Sequence, residues 1–306
     1  MLKTSSMFHV KHWAVTMTEA GSTPILREMT LNNERAKRVA QVSLTPPTEA
    51  RILTVSNQKG GVGKTTTAVN LAAALARKGM RVLVIDLDPQ GNASTALGVP
   101  HHSGVLSSYD VLMGEATIAE AVQTSTEHEA LLCLPATIDL AGAEIDLVAK
   151  EGRERILASA LAKYMAAEPL DFVFIDSPPS LGLLTVNALV AATEVLVPIQ
   201  CEYYALEGVT QLISNIERIK QALNPALVIR SILLTMFDSR TNLSSDVANE
   251  VRKYFPDQTL RTTIPRSVRI SEAPSFGQTA ISYDPKNSGS LAYQEAAIEL
   301  AQQGER

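Results

Sequence analysis

Long apolar runs, cysteines and net positive charge are all scarce in this chain of 306 residues, and each shortage closes off a class of function. No apolar stretch reaches the roughly 18 residues that a helix needs to cross a membrane. The first sixteen residues lack the apolar core of a secretory signal, so none is expected. The two cysteines, Cys133 and Cys201, lie far apart in strand-like runs. That spacing suits neither a metal site nor a disulfide framework, and buried thiols in a reducing cytoplasm are expected. The net charge of −5 argues against a uniformly basic nucleic-acid binder. The charge is unevenly placed, however. Residues 210–275 hold nine Lys and Arg against six Asp and Glu, a local +3 that leaves −8 for the remainder. The same count would arise from a solvated face, so the polarity points to the C-terminal third without naming a partner.

What is present is a composition able to fold. A hydrophobic share of 45% provides for a sizeable core, and the length suits one large α/β domain with an appendage. Residues 1–49 are polar, lack sustained periodicity and end near Pro46-Pro47. They read as a disordered leader, with room for a short helix over 32–42, and are too poor in apolar residues for a complete DNA-reading helix-turn-helix domain. From residue 50 to 306 the pattern reads as a single domain. Strand-like runs at 52–56, 81–86, 131–134, 172–176, 194–199, 228–235 and 260–264 alternate with helical patterns, among them 66–78, 140–150, 153–165, 183–192, 206–223, 244–254 and 290–303. Such alternation predicts a mostly parallel twisted sheet with helices on both faces, and ligands in such folds sit at the carboxyl ends of the strands.

The run Lys59-Gly60-Gly61-Val62-Gly63-Lys64-Thr65-Thr66 lies between a predicted strand and a predicted helix. That is the context of a phosphate-binding loop. Its glycines let successive N–H groups turn toward phosphate oxygens, and the helix that follows adds a favourable dipole. Lys64 supplies charge to the β- and γ-phosphates, and the Thr65 hydroxyl is a hard-oxygen ligand suited to Mg²⁺. Downstream, one apolar strand ends in Asp86 with Asp88 two residues on, and another ends in Asp176, followed by Ser-Pro-Pro-Ser. An acid at the end of a buried strand, placed to hold a water of the Mg²⁺ shell, is the second element of a nucleotide site. Buried without a cation it would be costly. Nucleotide binding with Mg²⁺ follows from the three motifs in this order.

Lys59 is not required by an ordinary phosphate loop. With it, the motif resembles the deviant Walker A loop of the ParA/MinD family. Four further stretches, beginning at Ala136, Pro198, Leu234 and Ile264, make the resemblance closest to the chromosomal ParA (Soj-like) branch, over about residues 51–304. The resemblance implies an ATP-bound homodimer in which Lys59 reaches across to the partner's phosphates. It implies Asp86 supporting the Mg²⁺ region, Asp88 positioning the attacking water, and the loop after Asp176 sensing the γ-phosphate. Pro265 and Ser267 match positions near the adenine, although asparagine is common in relatives where this chain has Ser267. Arg240 and Arg269, with Arg266 beside them, are implied as contacts to double-stranded DNA without sequence preference, since arginine suits phosphate geometry. A ParB-type centromere-binding partner would stimulate hydrolysis. Hydrolysis is expected to be slow, because no arginine finger lies near the motifs. The implied location is the nucleoid in the cytoplasm. A MinD-like positioning ATPase is the alternative, but its cationic membrane-binding helix has no counterpart in the glutamate-bearing segment 291–306. A nucleotide-gated DNA-binding scaffold with negligible turnover is a second alternative. Residues 7–12 have no evident fold role. One reverse translation of them contains TGTTTCACGTGAAACA, which resembles the parS sequence recognised by ParB, so the leader is read as partly a by-product of DNA sequence. Translation from Met17 or Met29 would remove part or most of it.

Overall fold

A computed structural model describes residues 24–203 and 205–303. The hexapeptide 7–12 and Met17 lie outside the described residues. The strands are β1 (Arg51–Val55), β2 (Val82–Asp86), β3 (Gln123–Thr124), β4 (Leu131–Leu134), β5 (Phe172–Asp176), β6 (Glu194–Gln200), β7 (Val228–Phe237) and β8 (Thr259–Pro265). They form one sheet in the order β3-β4-β2-β5-β1-β6-β7-β8. Every pairing is parallel except β3 with β4. Seven strands fall where the alternation placed them. The two-residue β3 is too short to carry a periodic signal. Strands β2 and β5 are buried along their whole length, as strands covered on both faces must be, which is why they read as unbroken apolar runs.

The helices are α1 (Pro24–Gln41), α2 (Lys64–Ala76), α3 (Asn92–Ala96), α4 (Ser108–Met113), α5 (Ile118–Ala121), α6 (Ala143–Asp146), α7 (Ile156–Ala167), α8 (Leu183–Ala191), α9 (Ala205–Ala222), α10 (Asn242–Tyr254), α11 (Val268–Glu272), α12 (Ala280–Tyr283) and α13 (Ser288–Gln303). The helix expected over 140–150 is broken. Tight 3₁₀ turns at Ile138–Ala141 and Leu147–Ala149 flank the single turn α6, with Gly142 at the first junction. Helix α2 is buried on nearly every side, between the sheet and α13. Its alanines allow that close approach, since a small side chain lets two backbones pack tightly. Helix α13 buries Leu291, Tyr293, Ala296 and Leu300 against this layer, so the C-terminal helix packs on its own domain. Arg51 at the start of β1 makes a bidentate pair with Glu194 at 2.9 and 2.7 Å and donates to the Leu300 carbonyl at 2.6 Å, which fixes the last turn of α13.

Part of the segment read as a disordered leader is helical. The second half of α1 lies on the domain, where Val39 is buried and the Arg35 guanidinium donates two bonds to Glu295, at 3.0 and 2.7 Å. The Lys78 ammonium donates to the carbonyls of Val39 and Val42 at the C-terminal end of the helix, where backbone acceptors are left free. The expected short helix over 32–42 falls largely within α1. Its anchors at Lys78 and Glu295 are remote in sequence, which is why local composition revealed the short helix but not its docking on the domain. No described helix is long and apolar enough to cross a membrane.

Candidate nucleotide site

The site forms where the strand order reverses around β1. The phosphate loop leaves the carboxyl end of β1 and enters α2. Gly61 and Gly63 hold φ of 73° and 88°, a region that costs a residue with a Cβ about 1–2 kcal/mol. Gly63 caps α2 with no side-chain acceptor, so the N–H groups of the first turn stay free for a ligand. A Cβ at Gly60 or Gly61 would meet no protein atom within 4 Å. These two glycines therefore face open space, as a phosphate-wrapping loop requires. Two contacts that the sequence reading missed shape the loop. Asn57 accepts the Lys59 N–H at 3.0 Å and donates to the Pro198 carbonyl at 2.8 Å. Thr235 on β7 donates to the Val62 carbonyl at 2.9 Å. Asparagine and threonine are too common for either position to signal this role.

Lys64 is buried, and its ammonium donates to the Lys59 carbonyl at 3.3 Å. Burial lowers its pKa, while the charges of Asp176 and Asp88 pull the other way. Lys59 is half exposed and donates to Glu202 at 3.1 Å. An exposed pair of that kind is worth only about 0–1 kcal/mol, so Lys59 is cheaply released. Thr65 and Thr66 line the cavity in front of the loop together with Asp88 and Pro179; its volume is about 340 Å³.

Asp86 and Asp176 stand opposite each other in the β2–β5 register, both fully buried. Their environments differ. Asp86 accepts the Ser94 N–H and hydroxyl at 2.8 and 2.7 Å and the Asp88 N–H at 3.2 Å. Burial pushes it up to about 6, against the pull of those hydrogen bonds. In this structure Asp86 holds the turn that presents Asp88. Ser94, the other half of that arrangement, had no signal in the sequence. Asp176 is different: neither carboxylate oxygen has a hydrogen-bond partner. Burial, and then the adjacent Asp86, push it well above the usual carboxylate range. An unpaired buried carboxylate costs several kcal/mol unless a proton or cation meets it. With the Thr65 hydroxyl, Asp176 makes a hard-oxygen pair that fits Mg²⁺. Among the described residues no cluster of three or more His, Cys, Asp or Glu could cage a metal by itself. A cation held mainly by phosphate oxygens and waters needs no such cage.

A second cavity of about 260 Å³ adjoins the first and contains Pro265 and Ser267. The Ser267 hydroxyl donates to Asn287 at 3.0 Å, so its side chain is already engaged within the chain. Met236 lines both cavities and has φ of 51°. Left-handed backbone at a non-glycine residue costs on the order of 1–3 kcal/mol and gathers at functional sites. Nothing in the sequence around Met236 announces it.

The three arginines lie at the carboxyl end of β7 and β8. The Arg266 N–H donates to the Phe237 carbonyl at 3.1 Å, which brings its loop beside that of Arg240. All three are exposed, and each is ion-paired. Arg240 forms a fork on Asp238 at 2.8 and 2.7 Å and holds that carboxyl down to about 2. Arg266 lies 3.8 Å from Glu202. Arg269 lies 3.2 Å from Glu272 and 3.7 Å from Asp284. A wider groove of about 730 Å³ opens at the opposite ends of β7 and β8, between Arg230, Arg261 and Glu299, remote from the phosphate loop. Both cysteines are buried and free, Cys133 with its thiol pushed well up by burial and by Asp86.

Backbone that cradles phosphate at the switch point of a parallel sheet is the defining trait of the P-loop nucleoside-triphosphatases, and this molecule is of that class. The AAA domain family model matches residues 50–229. The sporulation initiation inhibitor protein Soj of Bacillus subtilis is 49% identical over 254 residues, covering 83% of this chain and 99% of that protein. The chromosome partitioning protein ParA of Caulobacter vibrioides is 52% identical over 250 residues, or 82% and 93%. The crystal structure of cobyrinic acid a,c-diamide synthase from Mycobacterium smegmatis, with bound ADP and magnesium, is similar at a TM-score of 0.70 and 41% identity, covering 81% of this chain and 93% of that one. The chain belongs to the ParA/Soj family of chromosome-partitioning ATPases.

Proposed function

We propose that this chain binds ATP with Mg²⁺, pairs face to face with a second copy, grips double-stranded DNA as that pair, and lets go after slow hydrolysis stimulated by a ParB-type partner. The observation that carries the reading is the buried, unpaired Asp176 carboxylate beside Lys64, at the mouth of a glycine cradle with free N–H groups. Lys64 and the N–H groups from Gly60 to Thr66 bind and orient the triphosphate. Thr65 would hold the metal, with Asp176 and Asp86 supporting it from behind. When bound, Mg²⁺ neutralises the charge that builds on the β- and γ-phosphate oxygens. Asp88 accepts a hydrogen bond from the attacking water and holds it in line. Pro265 and Ser267 border the adenine. Lys59 leaves Glu202 and completes the partner's site, so turnover depends on pairing. An association with the nucleoid in the cytoplasm follows from the DNA grip.

Arg240, Arg266 and Arg269 would meet phosphates without reading bases. Their present ion pairs are exposed and weak, so a nucleic-acid phosphate can displace the acidic partners. Arg269→Glu is expected to retain ATP while weakening DNA binding at least about tenfold and flattening its salt dependence. Fluorescence anisotropy on a short duplex across a salt series checks this, and unchanged affinity at moderate salt removes Arg269 from the interface. The whole reading is tested by analytical ultracentrifugation with and without ATP, followed by DNA binding on the same samples. A chain that stays monomeric at saturating ATP yet binds DNA equally well refutes it.

A further inference from the structure

The loop from Ser177 to Gly182 links the unpaired Asp176 to the start of α8, and its Pro179 lines the cavity in front of the phosphate loop. Two hydroxyl contacts hold it, one to β1 and one within its own stretch. The Ser177 hydroxyl donates to the Val55 carbonyl at 3.0 Å, and the Thr185 hydroxyl donates to the Ser180 carbonyl at 2.6 Å. A third comes from a separate part of the chain. Glu144, on α6, accepts the Leu183 N–H at 2.8 Å through one carboxylate oxygen and the Leu184 N–H at 3.3 Å through the other. These are the first two N–H groups of α8, which has no cap of its own because Gly182 carries no side chain. A carboxylate across a helix N-terminus is favoured by charge-assisted hydrogen bonds and by the dipole.

Gly182 stands at the same contact. Its φ of −102° suits any residue, so conformation does not demand glycine there. A Cβ at that position would collide with both carboxylate oxygens of Glu144. To admit it, the Glu144 carboxylate, the far end of a flexible side chain, would have to swing off the start of α8.

We infer that Glu144 is a positioning residue for ATP hydrolysis. Through α8 it sets where the 177–182 loop, and with it Pro179, stands against the terminal phosphate. The inference rests on the ATPase reading above. It gives no contact between Glu144 and nucleotide, so it separates turnover from binding.

The experiment compares wild type, Glu144→Ala, Glu144→Gln and Gly182→Ala, measuring ATP affinity, kcat at saturating ATP and DNA, and thermal midpoint. Turnover is normalised to ATP-binding sites, so misfolded material does not count. Glu144→Ala is expected to lower kcat about fivefold or more, because small misplacement of a group facing the reacting phosphate is costly, while ATP affinity stays within about twofold. Glu144→Gln keeps a carbonyl oxygen for the Leu183 N–H and should recover much of the rate. Gly182→Ala should reproduce Glu144→Ala, and the double variant should be no slower than either single one, since both break the same clasp. A lower thermal midpoint with wild-type kcat in Glu144→Ala and Gly182→Ala would show a purely structural clasp and overturn the inference. Absence of ATP turnover in wild type would instead overturn the ATPase reading.

Discussion

Lys64→Ala should abolish nucleotide binding and leave the stability of the fold close to what it is now. The two halves of that result have one cause. In the free protein the Lys64 ammonium is buried, and burial works against its charged form. Its hydrogen bond in the free protein is a 3.3 Å contact to the Lys59 carbonyl. Removing it relieves that burial but also takes a counter-charge from Asp176 and Asp88, so the thermal midpoint without ligand should change little. With triphosphate bound, the same charge sits among anionic oxygens in a partly dry site. Losing it should weaken ATP by at least about 100-fold, or roughly 2.7 kcal/mol. Isothermal titration with ATP and Mg²⁺, beside a melting curve of the free protein, checks both halves. Retained affinity would show that the phosphates do not lie at this loop.

The second large effect is expected at Asp88. Asp88→Ala should bind ATP, pair and hold DNA, yet hydrolyse about 100- to 10,000-fold more slowly, the range that a positioned acid–base group supplies. The carboxylate is only half buried, and one oxygen accepts the Gln90 N–H at 3.0 Å, so the other is free to face a water. Its charge also helps to push up Asp86 and Asp176. Its loss relieves that repulsion, so ATP affinity should hold or improve. Phosphate release in a single turnover, with sedimentation of the same sample, measures the two properties together. A variant that hydrolyses at the wild-type rate would remove Asp88 from the chemistry.

The residues in these two predictions were legible in the sequence because short-range rules govern them. A glycine-rich turn between a strand and a helix has few structural uses, and an acid ending an apolar strand is anomalous unless something offsets its burial. The parallel sheet was legible for the same reason, since β2 and β5 are apolar throughout. The residues that hold the site in place were not. Ser94 supports Asp86, Asn57 and Thr235 brace the phosphate loop, and Glu144 braces α8; these are ordinary polar residues whose partners are set by packing. The anchoring of α1 was hidden for the same reason. Its amphipathic second half is visible locally, but Lys78 and Glu295 meet it only after α2 and α13 have packed together.

Local order along the chain thus pointed to the loop and acids proposed to hold the triphosphate and to the strands that carry them, because backbone conformation and burial pattern are near-neighbour properties. Tertiary structure decided that Asp176 rather than Asp86 is left without a hydrogen bond, although both end buried strands and pair in register. The difference comes from α3, which brings the Ser94 N–H and hydroxyl to Asp86, while Asp176 has only the Thr65 hydroxyl and the Lys64 charge nearby, neither in a well-formed hydrogen bond. Which buried charge is satisfied depends on what folds over it, and that is not a property of its own strand.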